Sequence, residues 1–150
     1  MPLDALCLTA VAAEIRAAVQ GGKIDKIYQP TRDEVVLYIR GPAGNVRLLL
    51  SANPGHPRAH LTERNRENPE QPPMFCMLLR KHLQGARILE LNQPPLERIL
   101  DFKLETLDEL GDRVERRLVL EAMGRSANLL LLDGEGRIID CIRRVDGDLG

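Results

Sequence analysis

Residues 98–122 read RILDFKLETLDELGDRVERRLVLEA, and their alternation decides the fold class. Leu100, Phe102 and Leu104 alternate with Asp101, Lys103 and Glu105, and Leu118, Leu120 and Ala122 alternate with Arg117, Val119 and Glu121. A period of two with one apolar side describes a strand that buries one face and wets the other. If the two strands pair antiparallel about residues 106–114, paired positions sum to about 220. That register sets Arg98 opposite Ala122, with Leu100, Phe102 and Leu104 turned inward.

Further strands flank this hairpin. Residues 128–132 form a third, turned at Asp133-Gly134-Glu135-Gly136 into 137–143, which extends an antiparallel meander. Upstream, Val35, Leu37 and Ile39 alternate with Glu34, Val36, Tyr38 and Arg40, and the turn 41–45 (GPAGN) joins them to 46–50. Residues 53–73 hold Pro54, Pro57, Pro69, Pro72 and Pro73, half of the ten prolines, and predict a surface loop with a short extended piece at 59–62.

Two helices complete the outline. Residues 5–20 carry a period near 3.6, with Leu6, Ala10, Ala13 and Ala17 on one side and Val11, Ile15 and Val19 nearby, Asp4 as N-cap and Gly21-Gly22 as the stop. Residues 72–85, PPMFCMLLRKHLQG, place two prolines in a first turn and Gly85 at a left-handed stop. Residues 74–79 are apolar on every face, which predicts a helix near 74–84 buried against more than one neighbour, Met77 included. Arg80, Lys81 and His82 then complement the negative end of the helix dipole or face a polyanion. The expected fold is α+β: an antiparallel β-sandwich or barrel-like sheet carrying an N-terminal helix and this second one, in one domain over residues 1–150.

Composition narrows function. The chain is 43% hydrophobic, enough for a core without disulfides. With 3% aromatic residues and no Trp, base-stacking platforms are not expected, and a net charge of -1 leaves room only for local basic patches. Cys7, Cys76 and Cys141 are odd in number and set among apolar residues, which reads as reduced core cysteines in a cytoplasmic protein. His56, His60 and His82 form no ligand spacing with them, so no metal and no cofactor are expected. The glycine turns do not open helices as phosphate-binding loops do, and Ser51 and Ser126 sit in no nucleophile motif. No signal peptide or membrane span is read, and no membrane partner is expected.

Two short polar motifs stand out. Glu97-Arg98 opens the first hairpin strand, where a surface ion pair of little energetic weight is the plain alternative. Gly124 interrupts the pattern of EAMGRSANLLLL, which suggests a bulge or a close backbone approach, with Arg125 aimed outward. The hairpin register places Glu121, Met123, Gly124 and Arg125 beside Glu97 and Arg98.

GGKIDKIYQP at 21–30, LLLSANPGHPRAHLTE at 48–63, the helical stretch at 72–85 and EAMGRSANLLLLD at 121–133 occur in an order that resembles the NFACT-N domain of the RqcH, NEMF and fibronectin-binding protein A family, over essentially the whole chain. The resemblance implies an N-terminal part of a larger ribosome quality-control factor. Such a factor binds a large ribosomal subunit carrying obstructed peptidyl-tRNA and recruits tRNA, alanine tRNA in bacteria, for alanine tailing of the stalled chain. It further implies that Glu97, Arg98, Glu121, Met123, Gly124 and Arg125 handle tRNA, with Asp4, Arg80 and Lys81 as additional RNA contacts. Glu97 departs from the family's Asp, which lengthens the reach by one methylene.

The NFACT-N fold is also similar to the N-terminal domain of formamidopyrimidine-DNA glycosylases, in which a processed N-terminal proline attacks an abasic sugar. Pro2 invites that alternative, but Leu3 stands where those enzymes place a glutamate. No catalysis is therefore expected from this domain. The fibronectin-binding name raises the further alternative of a surface adhesin, which requires export.

Overall fold

The computed structural model describes residues 5–95 and 97–144. Helix α1 (Ala5–Val19) is followed by a first meander of β1 (Lys23–Thr31), β2 (Glu34–Gly41), β3 (Gly44–Ser51) and β4 (Arg58–Thr62). Helix α2 (Met74–Leu83) leads to a second meander of β5 (Arg87–Asn92), β6 (Ile99–Leu107), β7 (Arg113–Glu121), β8 (Asn128–Asp133) and β9 (Ile138–Cys141). All neighbours are antiparallel, in the order β4-β3-β2-β1-β5-β6-β7-β8-β9. The architecture is α+β, as expected. In place of two sandwiched sheets there is one hydrogen-bonded sheet with open edges at β4 and β9. Helix α2 touches β1, β6 and β9, strands far apart in the sheet, so the sheet curves around it in a barrel-like sense.

The 98–122 hairpin pairs in the expected register. Leu100 faces Leu120 and Phe102 faces Leu118, while Leu100, Phe102 and Leu104 are buried. The ladder runs further toward the turn than expected, to Leu107 and Arg113. The two meanders join more sparsely. Between β1 and β5 the register pair is Lys23 with Arg87, supported by hydrogen bonds from Gly21 N to Ile88 O (2.7 Å), Ile88 N to Gly22 O (2.8 Å), Ile24 N to Ala86 O (2.9 Å) and Gly85 N to Ile24 O (2.8 Å). A Cβ on Gly22 or Gly41 would collide with the backbone carbonyl of Arg40 or Ala18, so α1 and the end of β2 meet main chain to main chain.

The structure gives each helix one buried side, which the sequence reading left undirected on α1 and extended to every side on α2. On α1 the buried stripe is Leu8, Ala12, Ile15 and Val19, while Leu6, Ala10, Ala13 and Ala17 are exposed. Alanine fits either face of a helix, so it gave the apolar arc no direction. On α2 the buried residues are Phe75, Cys76, Leu79 and Leu83, whereas Met74 and Met77 are 62% and 51% exposed. The curved sheet covers one side of the helix and leaves the other wet, where unbranched methionine is tolerated. Of the three cysteines only Cys76 is buried; Cys7 is exposed and Cys141 is partly so. Burial pushes the Cys76 thiol upward against the opposing pull of Arg80 and the Gln29 backbone.

The loop after β4 lies across the outer face of β2 and β3. Arg66 and Arg58 both bind the buried Glu34 carboxylate, at 2.7 and 3.0 Å, and Arg47 donates to Asn65 Oδ1 at 2.5 Å.

Candidate nucleic-acid interface

The ladder between β6 and β7 carries one rung past its last strand pair. Ile99 faces Glu121, and the Ala122 amide then donates to the Arg98 carbonyl at 2.8 Å. Glu97-Arg98 and Glu121 to Arg125 therefore meet at one end of the hairpin, as the register predicts. The half-buried Arg98 and the exposed Arg125 have no side-chain hydrogen bond or ion pair among the described residues, and neither do the Glu97 and Glu121 carboxylates. The Glu97-Arg98 ion pair that the sequence allows is thus not formed. Two guanidiniums and two carboxylates thus gather at this end of the hairpin with no partner among the described residues.

The segment entering the site is fixed from behind. Gln93 Nε2 donates to Glu97 O at 2.9 Å and to Ala5 O at 3.2 Å, tying the approach to Arg98 onto the start of α1, and Glu97 N donates to Pro94 O at 3.1 Å. Asp101, two pairs further along β6, is held by Arg117 across the ladder.

Gly124 forms neither a bulge nor a close backbone contact. It begins a 3-10 turn, Gly124–Ser126, with φ +58° and open space where a Cβ would stand. Positive φ is what selects glycine there. Arg143, beyond β9, clamps this turn by donating from Nη1 to Arg125 O at 3.1 Å and to Ala127 O at 2.6 Å. Asn128 in turn holds the Arg143 backbone, accepting from its amide at 3.0 Å and donating to its carbonyl at 3.0 Å. Sequence reading passes over Gln93, Asn128 and Arg143, because their role is to hold backbone across gaps in sequence that no short motif spans.

Arg80 and Lys81 do not join this surface. The Arg80 Nε donates to Ile27 O at 2.9 Å and its guanidinium lies 5.5 Å from the Tyr28 ring centre, which ties α2 to β1. Lys81 is exposed and pairs with Glu109 at 3.8 Å. The neighbouring His82 is held below its ordinary pKa by burial and by Arg116 and Lys81, against the opposing pull of Glu109. Pro2 and Asp4 lie outside the described residues. Among the described residues no group of three or more His, Cys, Asp or Glu side chains is placed to hold a metal, and no helix is long and apolar enough to cross a membrane.

Residues 4–149 match the family model described as NFACT N-terminal and middle domains. The chain is 41% identical over 146 residues to the Rqc2 homolog RqcH of Bacillus subtilis, covering 97% of this chain and 26% of that protein. To the ribosome quality control complex subunit NEMF of Homo sapiens it is 29% identical over 136 residues, covering 91% of this chain and 12% of that protein. The N-terminal domain of the fibronectin-binding protein PavA from Streptococcus pneumoniae superposes with a TM-score of 0.92 at 40% identity, over 95% of this chain and 54% of that one. The chain thus spans about a quarter of the length of its bacterial relatives.

Proposed function

The chain belongs to the NFACT N-terminal domain family of ribosome quality-control factors, and from that membership we propose that it recognises tRNA on an obstructed large ribosomal subunit. In this reading the domain makes and breaks no bond. It acts in the cytoplasm within a larger factor and orients tRNA while the ribosome transfers alanine onto the stalled chain. The observation that carries the reading is the Ala122–Arg98 hydrogen bond. It sets Arg98 beside the strand end that leads into the Gly124–Ser126 turn, with both arginines unpaired among the described residues. A guanidinium offers parallel donors that suit a phosphate or a base edge, and the neighbouring carboxylates accept from exocyclic amines. Net charge is too low for unspecific phosphate attraction, so shape and loop bases are the targets.

The test is Arg98→Ala in the full-length factor. Folding persists, because Arg98 holds its strand through its backbone. tRNA co-purified with ribosome-bound factor falls by the equivalent of about 1 to 3 kcal/mol, and alanine tails diminish. Arg98→Lys restores little, since a point charge lacks the second parallel donor. Wild-type tRNA occupancy in Arg98→Ala refutes the role. The fibronectin-binding name of a solved relative supports a second reading, an adhesin, which requires saturable binding of the purified protein to immobilised fibronectin.

A further inference from the structure

A cleft lies in the other half of the sheet, on β1 to β4, with a volume of about 570 Å³. That is ample for a nucleotide, since small-molecule sites span roughly 300–1,000 Å³. Both tyrosines of the chain stand at or behind its wall. Tyr28 meets Tyr38 edge to face with ring centres 5.1 Å apart, and the Arg47 guanidinium lies 4.8 Å from the centre of the Tyr38 ring. Arg80 sits over Tyr28, so the four side chains form a row, Arg47–Tyr38–Tyr28–Arg80. Arg47 is fixed at its tip by Asn65, leaving a flattened guanidinium at the cleft beside the Tyr38 ring.

The remaining polar groups decide what such a surface holds. Asp25, Arg40, Asn45 and Glu63 share the cleft with Arg47, so donors and acceptors are mixed and the two arginines are balanced by two acids. A bare anion gains little from that balance. A nucleobase gains from it, because its edge presents amine donors beside ring acceptors and its face stacks on a guanidinium or a phenol. Asp25 and Arg40 are 3.6 Å apart, the arginine 70% and the aspartate 43% exposed, a pair loose enough to exchange for base contacts. Arg64 borders a smaller depression against Tyr28 and Tyr38, where it is placed to meet the phosphate of an adjoining nucleotide.

We propose that this cleft holds one unpaired nucleobase of an RNA strand, stacked on the Arg47–Tyr38 pair and read at its edge by Asn45, Asp25 and Arg40. It is separate from the Arg98 surface, which lies at the ends of β6 to β8, and it stands whether or not that surface binds tRNA.

Fluorescently labelled single-stranded RNA hexamers of adenylate, cytidylate or uridylate, titrated into the full-length protein, test it. Adenylate and cytidylate, whose amines match Asp25, bind more tightly than uridylate. Arg47→Ala weakens adenylate binding at least about fivefold with an unchanged thermal midpoint, and Tyr38→Leu weakens it at least as much. Arg137→Ala, which removes an exposed arginine from the turn between β8 and β9, leaves hexamer affinity within about twofold. Absence of saturable hexamer binding, wild-type affinity in Arg47→Ala, or loss of binding in Arg137→Ala overturns the proposal. Should Tyr38→Leu fail to fold, Arg47→Ala decides alone, because that guanidinium lies at the surface.

Discussion

Arg66 reaches Glu34 across 32 residues of sequence and meets its carboxylate at 2.7 Å. The contact fastens the long loop after β4 to the face of β2, and Arg58 takes the second carboxylate oxygen. Burial pushes the Glu34 carboxyl up, but the hydrogen bonds and charges of Arg66 and Arg58 outweigh it and hold the carboxyl below its ordinary value of 4.5.

The sign of the resulting pH dependence is set by that depression. A folded-state pKa below the unfolded one gives stability that is complete above the ordinary carboxylate range and lost as pH falls through the folded value. Glu34→Gln should lower stability at neutral pH by about 1–3 kcal/mol and flatten the acid limb of a plot of thermal midpoint against pH. Identical acid limbs for the variant and the wild type would show that the two arginines do not stabilise the fold through this carboxylate.

Helix α2 separates a core position from a surface one within two residues. Leu79→Ala should cost about 2–5 kcal/mol by opening a cavity beneath the sheet. Met77→Asp, on the exposed side, should stay within about 0.5 kcal/mol of wild type. Denaturant unfolding of the two variants measures both, and a large loss in Met77→Asp would place that side chain inside.

The Arg143 clamp predicts a local loosening. Arg143→Ala removes two hydrogen bonds to the 3-10 turn and should cost about 1–2 kcal/mol. Hydrogen exchange at the Ser126 and Ala127 amides should speed up while Phe102 and Leu104 stay protected. Unchanged exchange at the turn would mean that β7 and β8 hold it without Arg143.

The β6–β7 hairpin and the convergence at Arg98 were legible because side-chain parity is unbroken along both strands. Strands β1 and β5 were not legible, for a shared reason. Each carries a register shift, between Ile24 and Lys26 in one and between Ile88 and Glu90 in the other. Buried Ile24 and Ile27, like buried Ile88 and Leu91, therefore stand three apart and imitate neither a simple strand nor a full helical face. Composition likewise counts aromatic rings without saying where they meet. Pairing β1 with β2 gathers the only two tyrosines, and that gathering is a product of topology.

The junction between β1 and β5 also has a kinetic meaning. Everywhere else, neighbouring strands of the sheet are consecutive in the chain, so their pairing closes short loops and is fast. The junction must close a loop containing β2, β3, β4 and α2, and its few hydrogen bonds are joined by the packing of α1 on β5 and of α2 on β1 and β6. A chain made from its N-terminus completes its first meander before β5 exists to dock against it. The meeting of Gly21 to Ile24 with Gly85 to Ile88 is thus the step that turns two locally folded halves into one cooperative domain.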